Sequence, residues 1–242
     1  MTIRIAMWSG PRNISTAMMR SFGARADCAV SDEPFYGAFL KASGEPHPMA
    51  RETIESMDCN WHSVLESLSG EAPGGEPIWY QKHMPHHMTG PVALAAFTSH
   101  RHAFLIRDPD RVVASYRKKN ELRRPEMLGF AQMRRYFEFE AERTGTVPPV
   151  VDSDDILADP AGVLGKLCAA LGIEWDAGML HWKKGPHPED GIWGEHWYDK
   201  VNSSTGFGKP SEEMPVLDGE YRETADACGD DYEELARYRI MS

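Results

Sequence analysis

Apolar residues in this chain gather in short runs that stop at sharp polar or glycine–proline breaks. Residues 3–8, Ile-Arg-Ile-Ala-Met-Trp, form the first run and end in Ser9-Gly10-Pro11, the profile of a buried strand leading into a tight loop. Comparable runs occur at residues 28–30, 78–82, 103–107 and 147–151, and the one at 103–107 is the clearest strand. Between them lie stretches of helical character at residues 35–41, 48–68, 125–143 and 161–171. In 48–68, Ile54, Met57, Trp61, Val64, Leu65 and Leu68 recur at helix spacing. The Gly/Pro cluster at 70–77 breaks that stretch, and Asp108-Pro109 reads as the cap and first turn of another helix. Strands alternating with helices predict an α/β fold, a three-layer sandwich around a central parallel sheet. From about residue 176 the chain is richer in Gly, Pro, Trp and His. It reads as irregular until a final helix near residues 230–239.

Length and composition narrow the class. The 242 residues suit one domain, and 41% hydrophobic with 26% charged residues suits a folded one. A formal net charge of −11 argues against a nucleic-acid partner, because such binding needs a basic surface. It leaves room for a small anion, which a few local cations can hold. No apolar run approaches the ~20 residues that span a bilayer, and the first strand leads straight into a motif, unlike a signal peptide. Cys28, Cys59, Cys168 and Cys228 form no CxxC pair. They read as reduced thiols, so a cytoplasmic protein is expected.

The loop after the first strand carries the candidate chemistry. Gly10-Pro11-Arg12-Asn13-Ile14-Ser15-Thr16 runs from a strand end into a helix start. The free N–H groups of the first turn, its dipole and two hydroxyls favour a bound phosphate. Arg12 adds a planar cationic fork. The loop lacks GxxxxGK[ST], which disfavours an ordinary ATPase, GTPase or kinase.

Together with Phe104-Leu105-Ile106-Arg107-Asp108-Pro109-Asp110-Arg111-Val112-Val113-Ala114-Ser115-Tyr116, this loop resembles the sulfotransferase superfamily, with its P-loop-containing nucleoside triphosphate hydrolase-like fold. There the first loop follows P-[KR]-S-G-[ST]-T, and a strand-ending Arg precedes a Ser eight positions on, as Arg107 precedes Ser115. The resemblance implies 3′-phosphoadenosine-5′-phosphosulfate (PAPS) as co-substrate and 3′,5′-adenosine bisphosphate as product. Gly10, Pro11, Arg12, Asn13, Ile14, Ser15 and Thr16 would hold the 5′ end, with Arg107 and Ser115 on the 3′-phosphate. Lys209, in Val201-Asn202-Ser203-Ser204-Thr205-Gly206-Phe207-Gly208-Lys209-Pro210, loosely matches a late loop that closes over that phosphate. The chain departs from the pattern at Asn13-Ile14, where the family has Ser-Gly. A β-branched residue resists positive φ, so the loop is expected to follow a different path.

Two residues compete as general base, with Arg12 as catalytic cation. Glu33 resembles the carboxylate that follows the loop at similar spacing in tyrosylprotein-type sulfotransferases. His83, in Gln81-Lys82-His83-Met84-Pro85, resembles the K-T-H-x-P histidine of the cytosolic enzymes, with Lys82 displaced by one. His83, His86 and His87 also invite a metal reading, but Pro85 spoils helical presentation and no adjacent acid or cysteine completes a site. Sulfuryl transfer requires no metal. The expected function is therefore a PAPS-dependent sulfotransferase acting on a small hydroxyl or amine acceptor, or alternatively a non-catalytic binder of PAPS or its product.

Overall fold

The computed structural model describes residues 2–242 except Asn120 and Arg123. Five parallel strands form one sheet: β1 (Ile3–Ser9), β2 (Cys28–Asp32), β3 (Ile78–His83), β4 (His100–Ile106) and β5 (Val150–Asp152), in the order β2-β3-β1-β4-β5. The helices are α1 (Ser15–Gly23), α2 (Tyr36–Ser43), α3 (Ala50–Ser56), α4 (Trp61–Ser69), α5 (Pro109–Tyr116), α6 (Phe130–Thr144), α7 (Ser153–Ala158), α8 (Pro160–Ala170), α9 (Gly194–Trp197), α10 (Asp199–Asn202) and α11 (Gly219–Ala236).

Period two along the strands divides the core into two layers. Ile5 and Met7 of β1 pack with Ile78, Tyr80 and Leu105, beneath Met18, Met19 and Phe22 of α1 and Val163, Leu164 and Leu167 of α8. Ala6 and Trp8 face the other way, toward Val64 and Leu68 of α4, Met133 and Phe137 of α6 and Leu235 of α11. Helices therefore cover both faces of a parallel sheet, as the sequence pattern predicts.

Three boundaries differ from that pattern, each for a local reason. The stretch at 48–68 is two helices, because Asn60 accepts from the N–H groups of His62 and Ser63 and starts a new helix there. The stretch at 125–143 opens as a 3-10 turn, Pro125–Leu128, before Gly129 at φ 74 redirects it into α6. The last helix begins at Gly219, well before residue 230, since Ala225 and Cys228 already pack against the core ahead of Leu235 and Ala236. Asp108 caps α5 as expected, accepting from the N–H groups of Asp110 and Arg111 at 2.9 and 3.2 Å. Among the described residues no helix is long and apolar enough to cross a membrane.

Candidate functional site

Parallel strands deliver their C-terminal ends to one edge of the sheet, where ligands of open α/β folds bind. Here β1 and β4 lie side by side, so the loop after Ser9 meets the segment after Ile106. Gly10 is required by close approach, since a Cβ there would stand 2.5 Å from the Leu128 carbonyl oxygen. Asn13 is fully buried and pins the loop. Its Nδ2 donates to the Leu105 carbonyl at 3.1 Å, while its own carbonyl accepts from Ser153 Oγ at 3.0 Å.

The expectation that Ile14 avoids positive φ is corrected by the structure. Ile14 lies at φ 58 and Arg12 at φ 66, both left-handed. Such strain costs on the order of 1–3 kcal/mol per residue and persists only where the surroundings impose it. Left-handed residues on either side of Asn13 alternate the handedness of the backbone, the arrangement in which successive N–H groups converge on an anion. Ile14 occupies the cap position of α1 without any side-chain cap, so Ser15 and Thr16 stand in the first turn, where its N–H groups are free.

Arg12, Arg107 and Ser115 meet. Arg12 Nε donates to Ser115 Oγ at 3.0 Å, and Arg107 Nη1 donates to the Arg12 carbonyl at 2.8 Å. Arg107 Nε is buried and has no partner. Among the described residues neither guanidinium is ion-paired; nearby Asp154 is engaged by Arg111 at 2.8 Å. Burial pushes the pKa of both groups down, and for Arg12 the charge of Arg107 adds to the effect. Two desolvated cations without a direct ion pair, one with an unused donor, are an arrangement that can receive an anion, although Asp154, Asp152 and Asp108 lend Arg107 some opposing charge. Lys209 lines the same cleft from the loop beyond α10.

Deeper in the cleft, Lys82 organises a polar cluster. It is 1% exposed. Its Nζ donates to Glu33 Oε1 at 2.7 Å, Asp32 Oδ1 at 2.8 Å and the Tyr198 hydroxyl at 2.7 Å, with Thr16 Oγ1 at 3.4 Å. The Tyr198 hydroxyl donates in turn to Asp32 Oδ2 at 2.7 Å. Burial alone lowers the Lys82 pKa, but the Asp32 and Glu33 carboxylates outweigh it and raise the ammonium well above its ordinary value. Burial raises Glu33 above the usual carboxylate range; Lys82 opposes the shift and Asp32 adds to it.

The structure brings Glu33 to this cleft and does not bring His83 there. Lys82 shares the α1 face of β3 with Ile78 and Tyr80, so His83 must face the opposite layer. There His83 stacks on Trp8 at 4.7 Å and meets Gln81 Oε1 at 3.3 Å. The cleft holds about 840 Å³ and includes Trp182, Trp193, Trp197, Tyr36 and His87 in its wall. Sequence reasoning singled out neither Asp32 nor Tyr198, and treated Lys82 only as displaced. Period two along residues 78–82 is the signal that points Lys82 toward α1. Among the described residues no group of three or more His, Cys, Asp or Glu side chains is placed to hold a metal ion.

A parallel sheet whose first and fourth strands bring Arg12 and Arg107 together defines an α/β protein, and comparison narrows the class. Residues 3–226 match the family model described as Sulfotransferase domain. The chain belongs to that family. Two curated relatives from Arabidopsis thaliana, the branched-chain-amino-acid aminotransferase-like proteins 1 and 2, are 36% and 34% identical over 208 residues. That match covers 86% of this chain but 37% of each relative, so the chain spans little more than a third of their length. Among solved structures, a sulfotransferase from Alicyclobacillus acidocaldarius superposes with a TM-score of 0.55 at 12% identity, covering 100% of this chain and 98% of that one. The sulfotransferase domain from the curacin biosynthetic pathway gives 0.52 at 11% identity, covering 100% and 99%. At such identity the likeness is one of fold.

Proposed function

We propose that residues 1–242 act as one sulfotransferase-like domain in the cytoplasm, moving a sulfuryl group from PAPS to a small hydroxyl or amine acceptor. The observation that carries this reading is the unpaired, buried Arg107 Nε beside Arg12. A phosphate oxygen is the kind of group that satisfies it. Residues Gly10 to Thr16 would cradle the 5′ end through backbone N–H groups, the Arg12 guanidinium and the two hydroxyls. Arg107 and Ser115 would grip the 3′-phosphate, with Lys209 above.

Glu33 is the base in this reading. Lys82 fixes its Oε1, which leaves Oε2 to take the acceptor's proton, and burial, by raising its pKa, makes the carboxylate a stronger base than an exposed one. His83, on the far face of the sheet, has no part in it. One feature favours the second reading, a binder that does not transfer. Glu33 is 9% exposed and already ion-paired, which restrains a base. Calorimetry with 3′,5′-adenosine bisphosphate and 5′-AMP tests the shared premise. Equal affinity for the two ends both readings, and tight bisphosphate binding without turnover on any acceptor leaves the binder.

A further inference from the structure

Two hydrogen-bonding atoms in the cleft lie close together without bonding to each other. Glu33 commits Oε1 to Lys82 at 2.7 Å. Its other oxygen, Oε2, stands 3.8 Å from Nδ1 of His87, beyond hydrogen-bond reach. That nitrogen is buried and has no partner. Buried polar atoms are nearly always paired, so this nitrogen calls for a partner from outside the chain, one placed beside both atoms.

The His87 ring is fixed in this orientation. It is 3% exposed and lies between Tyr36, with centroids 4.6 Å apart and planes 8° apart, and Phe39, at 4.8 Å and 20°. Tyr36 is itself held by His47, its hydroxyl 2.8 Å from the His47 Nδ1. Burial, reinforced by neighbouring His86, holds the His87 pKa well below its ordinary value, so the ring is neutral. With the proton on Nδ1, a neutral imidazole donates one hydrogen bond to a lone pair of a hydroxyl or amine beside it; with Nδ1 bare, it accepts one from an amine that carries a further N–H.

Resting on the sulfuryl-transfer reading above, we infer that Glu33 Oε2 and His87 Nδ1 together hold the nucleophilic group of the acceptor, which makes His87 a second catalytic residue. Glu33 Oε2 receives the acceptor's O–H or N–H proton as that oxygen or nitrogen bonds to sulfur. The bond from sulfur to the bridging phosphate oxygen breaks, and its electron pair departs with 3′,5′-adenosine bisphosphate. His87 gains no proton; it aligns the nucleophile's lone pair for in-line attack.

The test uses His87→Phe, which keeps a stacked ring without nitrogen, and His87→Asn, which restores a polar nitrogen or oxygen near the Nδ1 position. Single-turnover transfer from PAPS to phenol and to aniline is measured alongside bisphosphate affinity. His87→Phe is expected to slow transfer about 10- to 100-fold with affinity within about twofold of wild type, and His87→Asn to recover part of the rate. Wild-type rates in His87→Phe overturn the inference, as does a parallel loss of bisphosphate affinity or an Asn variant no better than Phe. A second measurement does not depend on turnover. The His87 ring nitrogens are followed by NMR while phenol is titrated into bisphosphate-saturated protein, and they are expected to shift. Unmoved resonances overturn the placement. If wild type sulfates neither probe, the transfer reading fails on those probes, and the NMR result alone decides the placement.

Discussion

Lys82 Nζ lies 2.7 Å from Glu33 Oε1, joining the third strand to the residue just past the second inside the protein. With Asp32 at 2.8 Å, one ammonium is shared between two buried carboxylates.

Removing that ammonium should therefore be severe. Lys82→Met leaves two adjacent acids buried without a counter-charge, and breaking a buried pair in this way costs about 3–5 kcal/mol. Chemical denaturation followed by circular dichroism checks it. A triple variant that adds Asp32→Asn and Glu33→Gln should recover most of the loss. Equal stability of the single and triple variants would show that the charges are not what Lys82 serves.

Arg107→Ala should weaken 3′,5′-adenosine bisphosphate binding by about 2–4 kcal/mol, the scale of a lost charge-assisted phosphate contact. Ser115→Ala should cost about 1 kcal/mol, and neither change should alter affinity for 5′-AMP as much. Calorimetry on variants shown to be folded gives the answer. Unchanged bisphosphate affinity in Arg107→Ala removes the 3′-phosphate assignment.

Glu33→Gln should slow single-turnover transfer by roughly two to four orders of magnitude while bisphosphate affinity stays nearly constant, as removal of a base predicts. His83→Asn should leave the transfer step largely intact, because its ring stacks on Trp8 on the other face. If Glu33→Gln transfers at the wild-type rate and His83→Asn does not, the placement of the base here is wrong.

The protein should lose stability in mild acid. His83, His100 and His102 are buried on the α4 and α6 side, at 2%, 4% and 3% exposure. Burial holds all three below their ordinary pKa, His100 at about 4. The unfolded chain titrates near 6.5, so it binds more protons than the native state below that pH. Their stabilisation is complete above about pH 6.5 and is lost as the pH falls toward about 4. At pH 5 His100 alone accounts for about 2 kcal/mol. Asp152, raised by burial to about 6, and Glu33, raised likewise, work the other way, but buried His86, at about 3, and His87 add to the three. Urea midpoints at pH 7 and pH 5 measure the difference; a midpoint no lower at pH 5 contradicts the argument.

Much of the architecture is legible in residue order because local rules and tertiary packing agree. The run at 103–107 is a central strand, Asp108-Pro109 does start a helix, and the loop after Ser9 does meet Arg107. The cluster around Lys82 is harder to read. Motif alignment slides along the chain one residue at a time, whereas the pleat inverts the facing of a side chain at every step, so Lys82 and His83 exchange places on such a shift. Tyr198 is invisible for another reason. Its partner is 116 positions away, and the intervening sequence carries no periodic signal that would pair them. Ile14 shows the converse: its side chain argues against the backbone it adopts, and the interlocked loop prevails.

The reach of Tyr198 back to Lys82 has a consequence for biosynthesis. At translation speeds of about 5–20 residues per second, roughly 6–25 seconds separate the emergence of the two residues. For most of that interval Asp32, Glu33 and Lys82 stand open to water, and the Arg20–Asp190 bridge that fastens this late segment to α1 has yet to form. A nascent chain thus acquires its loop and sheet first and its sealed interior last. A ribosome stalled before Tyr198 has emerged would display a chain with the loop at Arg12 assembled and the acid pair uncovered.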